Sequence, residues 1–147
     1  MPTKKRSGTR SAASSSSPPP EPLTLFLDES LDATVVVEAL RAAGASVERL
    51  TDRFPKGTED LVWLEWVGVN RRVVLSRDKR IRYRRLELLA LKAARVRAFV
   101  FTGGNVGMED TGKILAGALP RIERIARKDP GPFIYHVGKS GQPIKMT

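Results

Sequence analysis

The sequence predicts a single α/β domain with a mainly parallel sheet and helices on both faces. Two observations support this. From Leu23 onward, short apolar runs alternate with segments of helical period, and cap or turn residues fall between them. The chain has 147 residues, enough for one domain with a sizeable core.

The elements follow in order. Leu23–Leu27 is a first strand, stopped by Asp28-Glu29-Ser30. Ser30 is placed to cap a helix through Val35, Val36, Ala39, Leu40 and Ala43, which Gly44 ends. Val47–Leu50 fits a second strand, and Thr58 is placed to cap a helix carrying Leu61 to Trp66. Arg72–Ser76 is a third strand, followed by an arginine-rich stretch and a helix over Leu86–Ala94. Arg97–Thr102 makes a fourth strand. After a glycine-rich loop comes a long helix, Glu109–Arg127, then two edge strands at Phe133–Val137 and Pro143–Met146.

Residues 1–22 stand apart. They hold a basic start, a serine tract and a proline run, with no Leu, Ile, Val or aromatic residue, and read as a disordered tail before a domain at 23–147. Four Lys/Arg and one Glu lie in this tail, leaving +7 of the net +10 to the domain. No apolar stretch resembles a secretory leader or a membrane span, so the expected location is cytoplasmic.

Composition excludes several chemistries. With no Cys and one His, the chain has no thiolate site, no disulfide and no multi-histidine metal site. The basic balance points to an anionic partner, most simply nucleic acid.

The acids are few and their placement is informative. In a parallel sheet, ligands bind beyond the carboxyl ends of the strands. Asp28 and Glu29 follow the first strand, Glu59 and Asp60 open the helix after the second, and Asp78 follows the third. All three positions fall on one sheet edge. Such a carboxylate cluster needs cations, and oxygen donors suit Mg²⁺ or Mn²⁺. Those ions can activate water against a phosphodiester. Each acid alone has an ordinary explanation as a helix-dipole partner, a cap or an ion-pair member. Between Glu59 and Asp60 the sequence does not choose.

Residues 71–85 contain eight Arg/Lys around the single acid Asp78. Arg77, Lys79, Arg80 and Arg82 are placed to hold an RNA backbone beside the acids, and Tyr83 to stack on a base. Gly107–Lys113 spells G-x-x-x-x-G-K, but Ile114 stands where a phosphate-binding loop needs Ser or Thr, so that reading is rejected. His136 and the Trp63/Trp66 pair read as structural.

LFLDES at 25–30, RFPKGTEDLVWLEWV at 53–67, VVLSRDKRIR at 73–82, RAFVFTGG at 97–104 and PFIYHVGKSGQPIK at 132–145 resemble PIN-like ribonucleases, in particular toxins of bacterial type II toxin–antitoxin modules. The resemblance implies a PIN-like three-layer α/β/α fold and a Mg²⁺- or Mn²⁺-dependent endoribonuclease. It also implies a cognate antitoxin partner and commonly a homodimer. Its metal-binding acids transfer to Asp28, Asp60 and Asp78, with Glu29 as the acid beside the first. Where relatives read T-P-D-E, this chain reads Thr58-Glu59-Asp60-Leu61, so Asp60 keeps the aspartate position and Glu59 replaces a proline. For a fourth acid, Asp110 near the glycine-rich loop is the nearby candidate.

Two other readings come from different classes. A receiver-like phosphoacceptor domain would use Asp28/Glu29, Asp78 and Thr102. A non-catalytic RNA-binding module would use its acids as caps and ion pairs only.

Overall fold

The computed structural model describes residues 23–78 and 84–146. The tail at 1–22 therefore lies outside the described residues, as do Lys79, Arg80, Arg82 and Tyr83. Six strands form one sheet: β1 (Thr24–Leu27), β2 (Ser46–Arg49), β3 (Val73–Ser76), β4 (Arg97–Phe101), β5 (Phe133–Val137) and β6 (Pro143–Lys145). Their order is β2-β1-β3-β4-β5-β6. The first five run parallel and β6 pairs antiparallel to β5. The helices are α1 (Thr34–Ala42), α2 (Leu50–Arg53), α3 (Asp60–Val69), α4 (Arg85–Ala93) and α5 (Met108–Lys128).

Period two in the strands divides the core into two layers. Leu25, Leu27, Val73, Leu75, Phe99 and Phe101 face α1 and α5, packing on Val36, Leu40, Leu115, Leu119 and Ile122. Their neighbours Phe26, Val74, Ala98 and Val100 face α3 and α4, packing on Trp63, Leu64, Val67 and Leu91. The central strands are buried on both sides, as parallel sheets require. The fold is the three-layer α/β/α arrangement that the sequence implied.

Several local expectations change. Ser30 does not cap α1, whose preceding residue Ala33 makes no side-chain cap. Instead Asp28 caps a 3₁₀ turn at Glu29–Leu31, accepting the N–H of Ser30. The Asp carboxylate reaches the freed N–H two residues on, and the chain needs that extra turn before α1 begins. Thr58 likewise leaves α3 uncapped and donates its hydroxyl to Pro55 O at 2.6 Å. Leu50 opens α2 rather than ending β2. Phe133–Val137 is an interior strand, not an edge: it pairs with both β4 and β6. Gly44, at φ +97°, makes the predicted stop after α1 in a conformation that side chains disfavour.

Buried Arg97 closes the far end of the sheet, away from the acids. Its guanidinium donates to Ala126 O at 2.8 Å and to Arg71 O at 2.9 Å. It thereby satisfies a carbonyl in the last turn of α5 and holds the left-handed turn at Arg71, where φ is +56°. Among the described residues, no helix is long and apolar enough to cross a membrane.

Candidate active site

The carboxyl ends of β1 and β3 place Asp28 and Asp78 on the same edge, and the first turn of α3 brings Asp60 there. Asp28 follows β1 without an intervening residue, and its N–H donates to Leu75 O across the sheet at 3.3 Å. The side chain is only 7% exposed. Its Oδ1 accepts the Ser30 N–H at 3.0 Å and the Ser30 hydroxyl at 2.5 Å, while Oδ2 accepts the Ser76 hydroxyl at 2.5 Å. Burial pushes the Asp28 carboxyl up to about 6; the two hydroxyls oppose that rise and the charge of Asp60 adds to it.

Ser30 and Ser76 each work in two directions. Ser30 Oγ accepts the Arg77 N–H at 2.7 Å and Ser76 Oγ accepts the Asp78 N–H at 3.0 Å. Both hydroxyls therefore connect the Asp28 carboxylate to the backbone that presents Asp78. Local pattern does not reveal this role: Ser30 has the spacing of a helix cap, and Ser76 does end β3, yet both hydroxyls serve the acids.

Asp60 is positioned by the core. Trp63, stacked on Phe26 with ring centroids 5.7 Å apart, donates its Nε1–H to Asp60 Oδ1 at 2.9 Å. The choice left open between Glu59 and Asp60 is thereby informed: Glu59 is exposed before the helix, whereas Asp60 turns toward the other acids.

Around Asp60 a further acid appears that the sequence reading did not single out. Arg84 Nη1 stands 3.5 Å from Asp60 Oδ2, 3.7 Å from Asp78 Oδ2 and 3.3 Å from Glu87 Oε2. Glu87 lies in the first turn of α4, and burial together with the charge of Asp60 raises its carboxyl above the usual range, against the lowering effect of Arg84. The available signal is a lone acid three residues after Arg84 at a helix start; it reads as an ordinary dipole partner unless the helix is known to begin at this edge.

The other candidates have different positions. Glu29 is exposed and its carboxylate accepts the Gly57 N–H at 3.1 and 3.2 Å, tying the 3₁₀ turn to the loop that leads into Asp60. Arg77 reaches across to the glycine-rich loop: its guanidinium donates to Gly104 O at 2.6 Å and Val106 O at 2.7 Å and lies over the Phe101 ring at 5.6 Å. That loop is tight, since a Cβ on Gly103 would fall 2.2 Å from the Phe101 ring. Asp110 is exposed in the first turn of α5. Asp32, another acid of this edge, is paired with Arg49 at 2.5 Å.

The donor set is oxygen only, and it suits a hard divalent cation. Among the described residues, however, no group of three or more His, Asp or Glu is drawn together to hold an ion. The carboxylates around Arg84 Nη1, at 3.3–3.7 Å, surround a cation at guanidinium distance, well beyond the ~2.1 Å of a Mg²⁺–oxygen bond. The donor chemistry is of the hard-cation type, but a side-chain cation, Arg84, stands at the focus.

This three-layer fold, with its acids beyond the parallel strands, has a counterpart among known families. A family model described as PIN-like domain matches residues 23–103, from β1 to the glycine-rich loop. The chain belongs to the PIN-like domain family, whose members are typically nucleases. No curated protein and no solved structure matches the chain significantly. The matched span includes Asp28, Asp60, Asp78 and Glu87.

Proposed function

We propose that the protein is a Mg²⁺- or Mn²⁺-dependent endoribonuclease, the toxin of a toxin–antitoxin pair. The observation that carries the reading is the gathering of Asp60, Asp78 and Glu87 around one cationic nitrogen, with Asp28 buried beside Asp60. Like charges at this spacing are stable only around positive charge. Asp28, Asp60 and Asp78 are the metal ligands in this reading, and the Asp28 site is organised by Ser30 and Ser76. A bound divalent ion supplies an acidified water as nucleophile and neutralises charge on the phosphodiester. The protein's own part is to fix the acids on a rigid sheet edge and to bring basic residues to the RNA backbone. Lys79, Arg80 and Arg82, beside Asp78 in sequence, are assigned that backbone contact.

An antitoxin and a second copy of the chain are the proposed partners. Exposed apolar side chains on the α3/α4 layer support a protein-binding face there: Leu61, Val62, Val69, Leu86 and Leu89. The test is RNA cleavage with and without Mn²⁺, wild type against Asp28→Asn and Asp78→Asn. Loss of cleavage with retained folding supports the assignment. Unchanged metal-dependent cleavage in both variants rejects it, and RNA binding insensitive to EDTA with no cleavage favours the non-catalytic binding module instead.

A further inference from the structure

We infer that the cavity at the amino ends of the parallel strands, opposite the acids, binds the phosphate backbone of a single-stranded RNA. The choice of RNA as the polyanion rests on the ribonuclease reading above; the cavity and its charge do not.

The cavity measures 880 Å³ and lies between the end of α3 and the end of α5, beside the start of β1. Five of its lining residues are cations, Arg71, Arg72, Arg97, Arg127 and Lys128, and none is an acid. Leu23, Val69 and Pro130 add apolar surface, and Val69 is 75% exposed. Concave ligand sites combine these elements, an apolar wall for the body of the ligand and a few charges that fix it. Four of the five cations are arginines, whose planar fork matches phosphate oxygens in pairs.

Two observations separate this cavity from ordinary surface charge. First, its walls are built around a buried cation. Arg97 is 5% exposed, and its guanidinium donates to Ala126 O in α5 and to Arg71 O beyond α3, so one side chain fixes both walls. Second, two of the cations are left open to a ligand. Among the described residues, the side chains of Arg71 and Lys128 meet no hydrogen-bond or ion-pair partner, and both are exposed. Other cations of the domain do find carboxylates: Arg49 pairs with Asp32, Arg53 with Glu48, and Lys145 with Asp129. Arg71 also has φ +56°, just after α3, in the conformation that Gly44 supplies after α1. The dipole of α5 explains Arg127 and Lys128 singly. It explains neither the concave wall nor an arginine standing where glycine is favoured. Thr24 at this cavity lies about 13 Å of strand from Asp28, so RNA held here leaves the acids free.

The test is fluorescence anisotropy of a labelled single-stranded RNA of about twelve nucleotides with the full-length protein. It is run in EDTA over a range of salt, which takes metal and cleavage out of the readout. Arg71→Gly with Lys128→Gln should bind about 25-fold more weakly at about 0.1 M salt, with a salt slope shallower by about 1.4, the effect of two lost phosphate contacts. Glycine suits the Arg71 backbone, so the fold should hold, as circular dichroism will show. Should that variant not fold, Lys128→Gln alone reads the same effect at about fivefold and a slope change of about 0.7. Lys92→Gln with Arg121→Gln removes two exposed cations outside the cavity and should stay near wild type. Wild-type affinity and slope in the cavity variants overturn the inference and leave the cleavage reading standing. An equal loss in the Lys92/Arg121 variant also overturns it, since bulk charge then suffices. If polyglutamate or AMP displaces the RNA from wild type as readily as unlabelled RNA does, the occupant is an acidic chain or a free nucleotide, and the RNA assignment is wrong. Failure of cleavage in the Asp28→Asn comparison, with these binding differences intact, sinks the metal-dependent reading alone.

Discussion

Ser76 donates its hydroxyl to the buried carboxylate of Asp28 at 2.5 Å and, through the same oxygen, accepts the N–H of Asp78 at 3.0 Å. One side chain at the end of β3 thus connects the two acids that flank it in space. The Asp28 carboxylate and the backbone that presents Asp78 share one hydroxyl rather than standing as two independent positions.

The raised Asp28 carboxyl makes stability depend on pH. An acid whose folded pKa of about 6 lies above its ordinary 3.8 holds its proton more strongly in the folded state. Its charged form therefore weakens the metal-free fold as pH rises from about 4 to about 6, and the penalty is complete above that. A shift of this size corresponds to roughly 3 kcal/mol. Urea unfolding in EDTA should show Asp28→Asn more stable than wild type at pH 8, with the difference shrinking toward zero near pH 4. Equal stability at both pH values would contradict the buried charge.

Ser76→Ala removes a donor from Asp28 and an acceptor from the Asp78 N–H, at a side chain that itself has no exposure. The expected loss is about 1–3 kcal/mol by chemical denaturation, larger at pH 8 than at pH 5 because the Asp28 charge loses a hydroxyl donor. Cleavage should fall as well, since the backbone at Asp78 is released.

Trp63→Phe keeps a ring against Phe26 but deletes the Nε1–H that holds Asp60 Oδ1. Unfolding free energy should fall by about 2–3 kcal/mol, since the smaller ring leaves a gap in the core besides losing one hydrogen bond. Cleavage should fall about tenfold or more, because misplacing a catalytic group slows the reaction. An unchanged rate would mean that Asp60 needs no such orientation.

Arg77→Ala should act on the glycine-rich loop. Without the bonds to Gly104 O and Val106 O, limited proteolysis should cut near 103–107 faster than in wild type. RNA affinity of this variant should keep the wild-type salt dependence, because its guanidinium is engaged with the loop; a slope reduced by about one would restore it to the phosphate-binding set.

Much of the layer order was legible because period and chain direction carry it. Apolar runs at Leu25–Leu27, Val73–Leu75 and Ala98–Phe101 could only be buried strands, and the edge holding Asp28, Asp60 and Asp78 followed from parallel topology. What escaped the sequence was pairing across distance. Glu87 is 27 residues from Asp60, and nothing local distinguishes it from any acid in a first helical turn. Ser30 satisfied the rule for a cap, yet tertiary proximity to Ser76 and the Arg77 N–H outweighed it. Arg77 looked like one more member of a basic run, and its turn toward Gly104 depended on where β4 ends.

The two margins of the sheet limit how this molecule can associate. On one side β6 spans three residues, begins with Pro143, which has no N–H to offer, and ends with Lys145, paired to Asp129 at 3.1 Å. On the other, β2 spans four residues, and Glu48 and Arg49 there are already engaged in ion pairs. Neither margin presents a long, bare ladder onto which another chain could zip. Strand addition is therefore disfavoured at both margins, and the sheet offers little purchase for growth into fibrils.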